Sequence, residues 1–185
     1  MIALLLACTD SEPVVMPPRV EGVAAVAAKA ETPEDFCDVW TPADQAKPFT
    51  WPPLVGAAPV DAGKWRWIDV WATWCGPCLA EMPMIEKWQV RLAGEGVRYD
   101  FQMLSVDAQA LDLKKHYAKQ PDFRPTAHIA SGDALAPWFA AIGVPEGVAI
   151  PLSLFVDPAG NLRCTRAGAL SEGDYATIKA LLQAQ

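Results

Sequence analysis

The stretch "WIDVWATWCGPCLAEMP", Trp67–Pro83, sets an apolar run directly before two cysteines and a helix-like pattern directly after them. The run opens at Lys64 ("KWRWIDVW", Lys64–Trp71). Its aromatic and β-branched residues predict a strand, with Arg66 near the start, where it can reach water. From Pro77 to Ala93, Ile85, Trp88 and Leu92 recur every three or four positions, which predicts a helix stopped at Gly94. Pro77 suits the first turn, where no N–H is needed, and Pro83 should kink the helix further on.

Cys75 and Cys78 thus fall at a strand-to-helix junction, where such a pair could be a redox dithiol, half of a metal site or a structural bridge. The thiolate, not the thiol, attacks a disulfide. A cysteine at a helix N-terminus faces unpaired N–H groups and the positive end of the helix dipole, which favour the thiolate. Cys75 takes that place, and Cys78, one turn deeper, is positioned to resolve a mixed disulfide. A zinc site wants four ligands, and the remaining candidates, Cys37, Cys164, His116 and His128, are singly scattered, so no metal is expected. A structural bridge closing so small a loop gains little. The redox reading needs no cofactor beyond the dithiol itself.

Outward from this junction the chain alternates. "FTWPPL" (Phe49–Leu54) reads as a short edge strand halted by Pro52 and Pro53. Val97–Asp107 is the next strand, Ala108–Lys119 a helix ended before Pro121, Thr126–Ala130 a short strand, and Asp133–Ile142 a helix with Gly143 past its end. Pro151–Asp157 and Leu162–Gly168 form a hairpin around "PAGN", followed by a closing helix, Ser171–Gln183, with Ser171 as N-cap. Alternation implies parallel strands with crossover helices, and the hairpin adds antiparallel strands. The expected class is α/β, a central mixed β-sheet with helices on both faces and a C-terminal β-hairpin plus helix.

The chain of 185 residues carries a formal charge of -7 and is 52% hydrophobic. One domain with a tail fits that length, and no Lys/Arg cluster suited to nucleic acid is present. Residues 9–35, rich in Pro, Ala, Val and Glu, read as a tether, with a short helix at Gly22–Ala30 an option; the globular domain is placed at 36–185. Residues 1–8 end in "LLAC" (Leu5–Cys8), which resembles the lipobox of bacterial lipoproteins. Processing at Cys8 would attach lipid and hold the domain at a membrane. No basic segment precedes this run, so a chance apolar start is the alternative.

"FTWPPL", "GKWRWIDVWATWCGPCLAEMP", "LSVD" and "PLSLFVDPAGNLRCTRAG" together resemble the TlpA/ResA-like branch of the thioredoxin-fold proteins, extracytoplasmic and often membrane-tethered. The resemblance runs from about Phe49 to the C-terminus. It implies a thioredoxin fold and a thiol–disulfide oxidoreductase, periplasmic and lipid-anchored, acting on disulfide-containing client proteins in roles such as cytochrome c maturation. A membrane thiol conduit would re-reduce it. The Gly76–Pro77 pair resembles that of reducing thioredoxins, which favours disulfide reduction.

Residue by residue, Asp69 stands where thioredoxins have the buried acid that helps deprotonate the resolving cysteine and where many TlpA-like proteins have asparagine. Here the chain departs towards thioredoxin, and the resemblance implies that role for Asp69. Burial inside an apolar strand would raise its pKa to a useful range, whereas a strand-end aspartate facing water would do nothing. Glu81, three residues past Cys78, completes the CxxCxxE pattern in which this acid tunes the cysteines; the alternative is an ordinary exposed helix glutamate. Ile150–Pro151 is the expected cis-proline step facing the cysteines, with Pro145 as rival, and Trp74, Gly76 and Pro77 would meet the client. Trp71 is assigned to the core.

With Cys8, Cys75 and Cys78 assigned, Cys37 and Cys164 remain, and in an oxidising compartment they invite a structural disulfide; two buried free thiols are the alternative. His116, in "DLKKHYAK", is expected in water, and His128 alternates within its short strand. Two other functions share these residues. One is a non-catalytic peptide- or metal-binding protein using the Ile150–Pro151 groove. The other is an oxidant or isomerase using the same pair.

Overall fold

All seven side chains of Trp65–Trp71 are buried, which makes this strand the centre of the sheet rather than its edge. A computed structural model of the chain describes residues 32–59, 63–145 and 147–184. The readings of Cys8, of the Gly22–Ala30 helix and of the tether as far as residue 31 lie outside those residues. Among them, strands β1 (Val39–Trp40), β2 (Lys47–Pro48), β3 (Trp65–Trp71), β4 (Tyr99–Ser105), β5 (Ala127–His128), β6 (Leu152–Val156) and β7 (Asn161–Ala167) make one sheet in the order β1-β7-β6-β3-β4-β5, with β2 also on β7. β3 pairs parallel with β4 and antiparallel with β6. The sheet is therefore mixed, as expected.

Because strand side chains alternate, β3 serves two cores. Trp65 and Trp67 share one apolar cluster with Ile85, Trp88 and Leu92 of α2 (Gly76–Gly94) and with Ile178 and Leu181 of α5 (Tyr175–Gln183). Ile68 and Val70 share the other with Trp138 and Phe139 of α4 (Leu135–Ala141) and Leu113 of α3 (Ala110–Lys119). None of the described helices is long and apolar enough to cross a membrane.

The end of α2 corrects the sequence reading. Gly94 stays in the helix, and the residue that turns the chain is Gly96, at φ 76°. Its N–H donates to Ala93 O and that of Val97 to Leu92 O, the paired bonds of a Schellman cap. Ser171 closes a capping box with Asp174 ahead of α5.

Phe49–Leu54 is not a strand. Consecutive prolines leave too few N–H donors for a ladder, and the segment lies across the sheet as a strap. Phe49 N donates to Gly160 O, Trp138 Nε1 to Thr50 O and Ala130 N to Pro53 O, with one isolated bridge between Leu54 and Ile129. The strap covers Arg66, which is buried rather than in water, its guanidinium 5.6 Å from the Phe49 ring centre. The sheet edge is supplied instead by β1 and β2, both antiparallel to β7.

Helix α1 (Pro33–Phe36), capped by Thr32, occupies the last residues of the segment read as a tether. Its Phe36 meets Phe155 edge-on, and the next residue, Cys37, is bonded to Cys164 of β7. This disulfide spans 127 positions of sequence. Closing so long a loop removes much unfolded-state entropy, by about 5 kcal/mol at most. A Cys37→Ala/Cys164→Ala variant should unfold in urea with about 3–5 kcal/mol less stability than the oxidised parent. A loss below about 1 kcal/mol would show that the bridge contributes little.

Candidate active site

Strand β3 delivers the chain to the head of α2, where Cys75 is the N-cap. Its N–H donates to Ala72 O, and its sulfur accepts the N–H of Cys78 at 3.2 Å. Cys75 and Cys78 are joined to each other, so the site stands in its oxidised form. An N–H aimed at Cys75 Sγ, at the positive end of a 19-residue helix, favours negative charge on that sulfur once the bond is reduced. Cys78 is fully buried. Gly76 and Pro77 are exposed, and Trp74, 67% exposed, presents an apolar surface directly before Cys75.

The turn before Cys75 is held by a group the sequence reading passed over. Asp107 is 1% exposed, and its carboxylate accepts Thr73 Oγ1 at 2.7 Å, the Thr73 N–H at 3.1 and 3.2 Å, and Ser105 Oγ at 2.7 Å. His128 Nε2 lies 2.8 Å from the Asp107 carbonyl, which can only accept, so the imidazole donates there. These bonds tie the loop carrying Thr73–Trp74 to the ends of β4 and β5. The one sequence signal was an acid two residues after a serine at the end of an apolar strand.

Asp69 and Glu81 both lie inside. Asp69 is 0% exposed, and neither carboxylate oxygen finds a hydrogen-bond partner among the described residues. It lines a narrow fissure with Met82 and Ile85 of α2, Phe101 and Met103 of β4, and Arg124 at the mouth. Burial, with the charge of Glu81 adding to it, pushes its carboxyl up to about 8. Glu81 is 5% exposed, and its Oε2 accepts the Leu170 N–H at 2.6 Å while Oε1 has no partner among the described residues. Burial raises it to about 7, against the Leu170 bond, which lowers it, and with the nearby Asp174 charge, which raises it. Neither the water-facing strand aspartate nor the exposed helix glutamate describes these groups. Two buried acids raised towards neutrality, one on the central strand β3 and one in α2 a turn past Cys78, have the proton affinity to take up and return protons near neutral pH.

The Ile150–Pro151 bond is cis, at the entry to β6, and Pro145 is not the cis position. Ile150 packs against the same apolar cluster that holds Cys75 and Cys78, and the Pro151 carbonyl accepts the Gly168 N–H. Trp71 is core. His116 is half-buried rather than fully solvated: its ring meets Phe123 at 4.5 Å and Trp71 at 5.3 Å. Burial pushes its pKa below the ordinary value, the Asp107 charge opposing and that of Lys119 assisting. Among the described residues no group of three or more His, Cys, Asp or Glu is placed to hold a metal ion.

No protein-family model matches the chain. Over 101 residues it is 28% identical to the thiol-disulfide oxidoreductase ResA of Bacillus thuringiensis subsp. konkukian (strain 97-27), which takes in 54% of this chain and 53% of the relative. The same figures hold for ResA of Bacillus cereus (strain ATCC 10987 / NRS 248). The chain thus spans about half the length of the curated relatives it matches. Among solved structures, the thioredoxin domain of a thiol-disulfide oxidoreductase from Bacteroides vulgatus superposes with a TM-score of 0.51 at 20% identity, over 65% of this chain and 81% of that one. The fold is a thioredoxin fold.

Proposed function

We propose that this thioredoxin-fold chain, similar to the ResA oxidoreductases, is an extracytoplasmic protein-disulfide reductase working through Cys75 and Cys78. The observation that carries the reading is the Cys75–Cys78 disulfide at the head of α2, which follows β3, where the buried Asp69 carboxyl has no hydrogen-bond partner among the described residues. In the reduced protein, the Cys75 thiolate attacks one sulfur of a client disulfide. The client S–S bond breaks, its other sulfur leaves as a thiolate, and a mixed disulfide forms. Cys78 then loses its proton to the ionised fraction of Asp69, a minority near pH 7 because the carboxyl titrates at about 8, with Glu81 as the neighbouring acid, and attacks Cys75 Sγ. The second client sulfur leaves, the Cys75–Cys78 bond closes, and the client has gained two electrons and, from solvent and the buried acids, two protons. A dithiol reductant must return the pair to the reduced form, and a membrane thiol conduit fits that need.

The Ile150–Pro151 segment, with Trp74, Gly76 and Pro77, forms the proposed client-binding surface. The Cys37–Cys164 disulfide supports an oxidising compartment, since such bonds do not persist among cytosolic reductants. The "LLAC" sequence ending at Cys8 supports periplasmic placement with a lipid anchor. Reduction rather than oxidation of clients follows the Gly76–Pro77 pair and predicts a measured reduction potential near that of reducing thioredoxins, about -270 mV.

Trapping tests the whole reading. A Cys78→Ser protein, reduced and exposed to extracytoplasmic extract, should accumulate covalent adducts through Cys75 that dithiothreitol releases. Absence of such adducts, with free Cys75 confirmed by alkylation, would count against it.

A further inference from the structure

Beside Cys75 lies a groove of about 340 Å³ lined by Thr73, Trp74, Asp112, Lys115, His116 and Lys119. Lys115 and Lys119 stand one turn apart on α3, so their ammonium groups share the face turned to this groove. Two lysines against the single Asp112 leave the lining net positive, in a chain whose formal charge is -7. His116 does not add to that charge, because its pKa is lowered. Asp107, which anchors Thr73 of the groove wall, is buried, with its oxygens taken by Thr73 and Ser105. Asp112 reaches Lys115 only at 3.8 Å, with both side chains about half exposed or more, a pair weak enough to exchange partners.

Resting on the oxidoreductase reading above, we infer that this groove selects protein clients carrying an acidic residue close to the cysteine that Cys75 attacks. Trp74 precedes Cys75 in the chain and forms part of the groove wall. A client segment laid over Trp74 to reach Cys75 therefore runs its flanking residues past Lys115 and Lys119. The apolar indole carries the segment's body, and the lysines meet a carboxylate. Charge complementarity of this kind acts on the encounter rate and on the choice among partners more than on raw affinity.

The test uses the full chain, reduced, with three disulfide-bonded peptides that differ only beside the attacked cysteine, carrying Asp-Glu, Gln-Gln or Lys-Lys. At low salt the acidic peptide should be reduced roughly three- to tenfold faster than the glutamine peptide, and the lysine peptide more slowly still. The gap should close at about 1 M salt, where charges are screened beyond about 3 Å. A Lys115→Glu/Lys119→Glu protein should reverse the order. Equal rates for all three peptides, or an order unchanged in the charge-reversed protein, would overturn the groove assignment and leave the oxidoreductase reading intact. No reduction of any peptide would instead overturn the oxidoreductase reading and the inference with it. Equal peptide rates together with binding of the parent, but not of the reversed protein, to phosphatidylglycerol vesicles would assign the patch to a membrane surface and likewise overturn the client assignment.

Discussion

Replacing Cys75 by serine should lower the rate of insulin disulfide reduction by roughly three orders of magnitude or more, about 4 kcal/mol of lost transition-state stabilisation. The reason is electronic. A hydroxyl at that position can accept the Cys78 N–H as the sulfur does, but it does not ionise near neutral pH, so no nucleophile forms. Cys78 does not take over, because it is 0% exposed and one turn into α2, whereas Cys75, though only 4% exposed, sits at the helix head between the exposed Trp74 and the exposed Gly76 and Pro77. Circular dichroism of the variant should match the parent, since the cap is retained by an oxygen that suits the N-cap better than sulfur does. Activity within tenfold of the parent would remove Cys75 as the attacking group.

Asp69→Asn should produce the second large change, and it has two readouts. The first is kinetic. With no carboxylate to accept the Cys78 proton, release of the mixed disulfide at pH 7 should slow about a hundredfold, as followed by quenched-flow mass analysis of the adduct. The second is thermodynamic. The Asp69 carboxyl titrates near its ordinary 3.8 in the unfolded chain and at about 8 in the oxidised fold. Between those values the folded state holds a proton that the unfolded state has lost. The stabilising contribution is therefore complete below about pH 4, and it fades as pH rises towards 8. The span corresponds to a loss on the order of 5 kcal/mol at high pH. Asparagine does not ionise, so the variant should be the more stable protein at pH 8 and above, and its urea midpoint should depend less on pH. What slope remains between about 4.5 and 7 should follow Glu81, which is raised in the same direction. An unchanged pH dependence in the variant would mean that Asp69 is not the buried neutral acid.

Much of this site is local in the chain. The dithiol motif, the prolines at and after the head of α2, and the acid within "WIDVW" lie within Trp67–Pro83, so their strand–turn–helix placement follows from short-range pattern alone. The sequence also points to the α/β alternation and the Ser171 cap, because periodicity and capping chemistry are local. The misread parts depended on distant contacts. "FTWPPL" has strand-like residues, but its fate is set by Arg66 beneath it and Trp138 beside it. His116 looked solvated among lysines, yet Trp71 and Phe123 come from outside its helix to cover part of its ring.

The sequence by itself determined that two cysteines stand at the head of a helix, with its dipole behind the first of them, and that acids lie on either side in the chain. Only the tertiary structure decided what those acids are. Whether a carboxyl titrates like a surface group or holds its proton near neutrality depends on how completely distant elements exclude water from it. Here α2, β4 and the segment reaching Leu170 provide that exclusion. The same holds for Asp107, whose anchoring of the turn before Cys75 exists only because parallel pairing brings the ends of β3 and β4 side by side.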